Sequence, residues 1–178
     1  PGVGCVAPRL LSGKGTNGKV CGGPLVLGVN GTYTPYNGEE GSVFETGPYS
    51  RLQLTQDVSA VAGHFFAFKR SDWVAVDGFD ADRFPLRHGV ADFCLRLKAL
   101  GRRHIWTPIA GVLHHGGKTL EVVSADPHGK LALVDTELAE RSQLVERWAP
   151  LLANDPCYNR HLSLNRPHDI ECDIVNDW

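Results

Sequence analysis

Between residues 90 and 100 the apolar side chains fall at 90, 93, 94, 97 and 100, the spacing of one helix face, and Gly101 follows as a stop. Immediately beyond it, Ile105, Trp106 and Thr107 read as a short strand closed by Pro108. A helix that feeds a strand in this way has to bury its apolar face on a sheet, so the chain is expected to be α/β. The other elements fit that class. Residues 3–7 read as a short buried strand closed by Pro8, residues 25–29 as a second strand, and residues 59–70 as the longest strand of all. Ser71 is placed to N-cap a short helix reaching residue 76, which Asp77-Gly78-Phe79-Asp80 ends as a turn. Leu131, Val134, Leu138, Val145 and Trp148 mark a third helix over residues 127–148, with Trp148 on its apolar face.

Between these elements the chain is less regular. Residues 12–18 are a Gly/Asn-rich turn, and residues 30–50 are rich in Gly, Pro and Tyr without periodicity, the mark of a functional loop or of a loop pinned by its tyrosines. Residues 149–178 are polar and irregular around Asp155-Pro156-Cys157-Tyr158-Asn159.

Composition narrows the function. Lys and Arg number 18 against 20 Asp and Glu, which leaves no general electrostatic case for nucleic acid or an anionic membrane surface. The five cysteines are widely spaced and odd in number, arguing for a reduced compartment and against a disulfide framework or a Cys-built zinc site; Cys94 falls in the helix core. No apolar stretch reaches the ~18 residues of a membrane span. There is no Met at all, and the chain reads as a processed protein or an excised piece.

Four blocks, taken in order, resemble the C-terminal, acceptor-side half of a family 2 glycosyltransferase with a GT-A fold. They are PGVGCVAPRLL, SAVAGHFFAFKRSDWVAVDGFD, VADFCLRLKALGRRHIWTPIAGVLHH and ERWAPLLANDPCYNRHLSL, and together they run over nearly the whole chain. The last is similar to the tail of O-antigen and rhamnan-type members. The resemblance implies a partial GT-A fold with a mixed sheet and flanking helices, whose N-terminal donor-binding half is absent. The one Asp-x-Asp, Asp80-Ala81-Asp82, lies in the turn and does not follow an apolar strand. Residues 1–125 would form the acceptor-side part of the transferase domain, and residues 126–178 a helix and tail packed on it.

An inverting transferase needs a carboxylate to take the acceptor proton and positive charge to stabilise the departing diphosphate. By resemblance the base position, six residues before Arg96, is Val90, which accepts no proton. His88 and Asp92 are the remaining catalytic candidates, Asp92 being also a first-turn acid favourable to the helix dipole. Gly63, His64, Trp73, Gly78, Phe79 and Asp80 fall in the acceptor-side block, where Trp73 is equally a core residue and Gly78 equally a positive-φ turn residue. The resemblance makes His114, first of the pair His114-His115, a ligand of a divalent metal, Mn²⁺ or Mg²⁺.

These residues imply transfer of a sugar from a nucleotide-sugar donor to a glycan acceptor in cytoplasmic bacterial surface-polysaccharide synthesis, at or near the inner face of the membrane. The isolated chain is expected to be inactive. The alternative is a degenerate, non-catalytic module that binds glycan or packs on an active partner. Without its other half, the apolar strands at 3–7 and 25–29 would lie exposed and the isolated chain would self-associate.

Overall fold

Two strands distant in sequence carry the architecture. β1 (Val3–Ser12) runs parallel to β9 (Arg103–Leu113), with Cys5 opposite His104, Ala7 opposite Trp106 and Leu11 opposite Leu113. The structure, a computed structural model, describes residues 2–12, 19–35, 41–42, 46–115 and 127–165. Parallel partners need a long crossover, and it ends here in α1 (Arg70–Ala75) and α2 (Gly89–Ala99). Around this pair lie β2 (Lys19–Gly22), β5 (Gly41–Ser42), β6 (Gln56–Val58) and β8 (Ala67–Phe68), in the order β5-β2-β1-β9-β6 with β8 also on β1. A smaller sheet is built from β4 (Tyr33–Pro35), β3 (Pro24–Leu27) and β7 (Ala60–Val61). Helix α3 (Pro127–Ala153) and the segment after it close the described chain. The chain is therefore α/β, with a mixed sheet and helices packed on it.

Both strand-closing prolines behave differently from expectation. β1 continues through Pro8 to Ser12, and β9 continues through Pro108 to Leu113. The two-strand register jumps between Pro8, opposite Thr107, and Arg9, opposite Gly111. A bulge of this kind leaves the ladder unpaired where a proline has no N–H to give, so the strands resume beyond it. Residues 59–70 are likewise not one strand. The run breaks at a turn over Gly63 and His64, sending β7 to the small sheet and β8 to β1.

The helices follow their sequence signals more closely. Gly101 has φ +76°, and the Arg102 and Gly101 amides donate to Leu97 and Lys98 carbonyls at 3.0 and 2.9 Å, closing α2 at a left-handed glycine. Gly78 has φ +66°, and a Cβ there would meet Trp73 Cζ2 at 2.5 Å, so the turn after α1 needs glycine on both counts. Ser71 lies inside α1 rather than capping it; Lys69 is the N-cap and no side chain caps the end. α3 outruns its expected end at residue 148 by one turn, bending at Trp148 ahead of Pro150. Its apolar residues Leu131, Val134, Leu138 and Val145 face solvent. Residues 30–50 are not structureless where described: a 3-10 turn (Val29–Gly31), β4, β5 and a second 3-10 segment (Pro48–Gln53) interrupt them, while residues 36–40 and 43–45 lie outside the described set.

Most of the strand residues expected to lie bare are interior. Cys5, Ala7, Leu25 and Leu27 are at most 8% exposed, with β1 flanked on both edges and β3 between β4 and β7, while Val6 alone of these apolar side chains faces solvent. The segment after α3 completes this core. Asp155 accepts from the Leu27 and Cys157 amides at 2.9 and 2.8 Å and from the Ser59 hydroxyl, drawing Leu152 and Tyr158 against β3.

Where β1, α2 and β9 meet, Cys5, Cys94 and His104 are all fully buried. The Cys5 amide donates to His104 Nδ1 at 3.2 Å, and His104 Nε2 lies 2.8 Å from the Cys94 carbonyl, which together require a neutral imidazole protonated at Nε2. Burial pushes this histidine down to about 4. An unfolded chain takes up the proton near the ordinary pKa of about 6.5, so the unfolded state binds more protons across that interval and stability falls as pH drops. Urea unfolding at pH 7 and pH 5 should therefore show a loss of about 2 kcal/mol, most of it absent in His104→Leu. Equal losses in both proteins would place the pH dependence elsewhere.

Candidate functional site

The site residues expected from sequence separate into three places around α2. The first is the turn leading into the helix. His88 is its N-cap residue and is only 7% exposed. Its ring Nδ1 lies 2.9 Å from the Tyr33 hydroxyl, and the two rings meet edge to face. Burial lowers its pKa, opposed by the nearby Glu140 and Glu137 carboxylates. Glu140 reaches in from α3, 1% exposed, and accepts from the backbone amides of Leu86, Arg87 (2.9 Å) and His88 (3.0 Å). A carboxylate gathering the amides of the turn that ends in the N-cap satisfies them and sits near the positive end of the helix dipole. His88 thus belongs to a closed capping arrangement rather than to a surface a substrate can reach.

The second place is the far flank of α2. Asp92 is fully buried. Its Oδ2 accepts from Arg96 Nε at 2.7 Å, and its Oδ1 from Arg147 Nη1 at 3.2 Å and Trp148 Nε1 at 2.9 Å. Arg96 continues to the Val76 carbonyl and to the Gly78 carbonyl at 2.7 Å, while Arg147 also pairs with Asp80 at 2.9 Å. Both carboxylate oxygens are committed, so Asp92 acts as a clamp between α2, the 76–80 turn and α3.

A cleft of about 450 Å³ opens beside this clamp, lined by Phe79, Asp80, Arg96 and Arg147 among others. Three acceptor-side candidates, Gly78, Phe79 and Asp80, border it or the clamp. Trp73 instead stacks on Phe68 at 5.7 Å and meets Phe79 edge-on at 4.9 Å, part of an aromatic cluster over Phe93. The Asp80 carboxyl is held below its usual range by Arg147 and Arg83, whose attraction exceeds the cost of partial burial.

The third place lies at the carboxyl ends of the parallel pair, where ligands bind in open α/β sheets. β9 ends at Leu113, and the His114 amide donates to the Leu11 carbonyl at 2.8 Å, which fixes the next side chain against the end of β1. The His114 ring lies 4.6 Å from that of His64, the planes inclined at 62°. His64 stands in the turn between β7 and β8, whose Gly63 lies over the first turn of α2: a Cβ on Gly63 would come within 3.0 Å of Val90 Cγ2. The turn therefore makes two contacts distant in sequence, Gly63 with Val90 and the adjacent His64 with His114, 50 positions on. His64 is exposed and His114 half-buried, and no ring nitrogen of either has a hydrogen-bond partner among the described residues. Burial first, and then the charge of His114, lower the His64 pKa.

The uncharacterized protein y4gI of Sinorhizobium fredii is 30% identical to this chain over 170 residues, spanning 93% of the chain and 17% of that relative. The chain thus spans about a sixth of the length of the curated relative it matches. No family model matches the chain, and no solved structure matches it.

Glu140, Tyr33, Arg147 and Asp155 carry weight that sequence reading missed. Each acts on groups at least 55 positions away or across separate elements, and nothing in its local sequence marks it. A sharper local signal existed only at Arg96, four residues after Asp92 on one helix.

The packing of Gly63 on Val90 yields a direct test. Gly63→Ala should cost about 1 kcal/mol in urea unfolding, since the β-branched neighbour has little room to yield. In a Val90→Ala background the same change should be neutral or stabilising, by up to about 1 kcal/mol. An equal cost in both backgrounds would show that Val90 is not what Gly63 accommodates.

Proposed function

We propose that this chain is the acceptor-side portion of a family 2 glycosyltransferase of GT-A type. In this reading it serves transfer of a sugar from a nucleotide-sugar donor to a glycan acceptor in bacterial surface-polysaccharide synthesis. The observation that carries the reading is a pair of contacts made by the turn after β7: Gly63 lies against Val90, and the next residue, His64, meets His114 just beyond the carboxyl end of β9. The resemblance assigns base, acceptor-side and metal roles to separate stretches of sequence, and this acceptor-side turn touches both of the others.

One ligand for a divalent cation is present there. His114 offers an imidazole with no competing partner among the described residues, and an imidazole can serve a Mn²⁺ ion beside oxygen ligands, which the donor half and the diphosphate would supply. Bound there, such an ion supplies positive charge for the leaving diphosphate. The chain's own residues set the rest. Gly63 lets the β7–β8 turn approach α2, and the amide of His114 fixes the end of β9. The clamp at Asp92 holds α2 rigid beneath. Val90 brings no carboxylate to the position from which an acceptor hydroxyl would be deprotonated.

That last point favours a second reading, a module that has kept the scaffold and lost the chemistry, binding glycan or an active partner domain. Val90→Asp separates the two. In the full protein, assayed with UDP-, GDP- and dTDP-sugars, Mn²⁺ and a rhamnan-type or O-antigen glycan, a restored base should raise transfer by about 10²-fold or more. His114→Ala should abolish the gain. Absence of turnover by either protein with every donor, together with glycan binding by the wild type, would overturn the transferase reading in favour of the module.

A further inference from the structure

We propose that His64 and His114 form a two-imidazole chelate for a borderline divalent transition ion of the Zn²⁺, Co²⁺ or Ni²⁺ kind. In this assignment His64 is a metal ligand rather than an acceptor contact. The inference deepens the reading above at the same site and depends on it only for the prior role of His114; the geometry of the pair stands by itself.

Four observations support it. The ring centres are 4.6 Å apart and the planes inclined at 62°. Two imidazoles bound side by side to one ion, with metal–nitrogen lengths of about 2.0–2.1 Å and an angle of about 90–110° between them, hold their ring centres roughly 4.5–5.2 Å apart. The pair already sits in that interval. Second, the nitrogens are unclaimed among the described residues, in contrast to those of the two buried histidines. His104 spends both nitrogens on Cys5 and Cys94, and His88 spends Nδ1 on Tyr33.

Third, the pair is reachable, His64 being exposed and His114 half-buried. The sulfur-rich alternative, Cys5, Cys94 and His104, has its three ligand atoms within 4.8 Å of one another. It is sealed in the core, however, with its imidazole fully hydrogen-bonded and burial and Cys94 holding the Cys5 thiol well above its usual range. Fourth, both ligands are mounted on fixed backbone. His114 is tied to Leu11 by its amide, and the His64 turn is pressed on α2 through Gly63 and Val90. Two imidazoles select for borderline metals over Mg²⁺, which prefers oxygen.

Zn²⁺ titration of the purified chain by calorimetry, with Co²⁺ absorption as a second readout, tests this. The wild type should bind one equivalent, and His64→Ala, His64→Gln and His114→Ala should each weaken it about tenfold or more. His115→Ala should leave affinity unchanged, and Mg²⁺ should not compete. Circular dichroism checks that each variant is folded. Undiminished binding in both His64 variants, loss equal to theirs in His115→Ala, or no Zn²⁺ binding by the wild type would each overturn the chelate. None of those outcomes bears on the transferase reading, which fails instead on donor turnover; conversely, intact chelation without turnover would sink that reading and leave the chelate standing.

Discussion

The carboxylate of Asp92, with no exposed surface, ties together α2, the turn after α1 and α3. Arg96 answers it from the next turn of α2 and carries the connection to the backbone of the 76–78 turn. Arg147 and Trp148 answer it from α3, at the point where that helix bends. A charge in this position is costly to desolvate and is tolerated because both oxygens accept hydrogen bonds, from three donors in all. Such an arrangement adds little net stability over an apolar replacement, yet removing one member leaves an unpaired charge in the core. It fixes which way α2 faces. That orientation sets Val90, two residues earlier and roughly 200° around the helix, toward Gly63.

The same constraint decides how the candidate chemistry is distributed. Residues that resemble parts of one site by sequence are divided by α2 into a clamp side, holding Asp92, Asp80 and Phe79, and an open side, holding Val90, His64 and His114. His88 belongs to neither, being closed under Glu140 and Tyr33. The proposed transferase role and the proposed metal chelate both rest on the open side. The clamp side supplies rigidity and a bordering cleft.

Much of the local structure was legible because it depends on near neighbours. The apolar spacing of α2, its glycine stop at Gly101 and the need for Gly78 after Trp73 are all decided within a few residues. The prolines misled for a physical reason. Pro8 and Pro108 end a strand in isolation, but in a parallel pair both can be absorbed by one shared bulge, which only the partner strand reveals. The run at 59–70 misled because its β-branched and aromatic residues report burial, not continuity, and it divides between two sheets at Gly63. The meeting of His64 with His114 was not legible at all: it requires β7, β8 and β9 to be placed first, and nothing near either residue encodes the other. Asp92 reads from sequence as a first-turn acid, which it is, but its partners on α3 lie 55 and 56 positions away.

Asp92 is a clamp rather than a proton acceptor, and a double-mutant cycle between Asp92→Asn and Arg147→Met, read by urea unfolding, tests that most directly. Groups sharing a buried ionic network are coupled, and the cycle should return about 1–3 kcal/mol of interaction energy. Effects of the two substitutions that simply add, with Asp92→Asn alone costing less than about 0.5 kcal/mol, would contradict it and return Asp92 to the list of candidate bases.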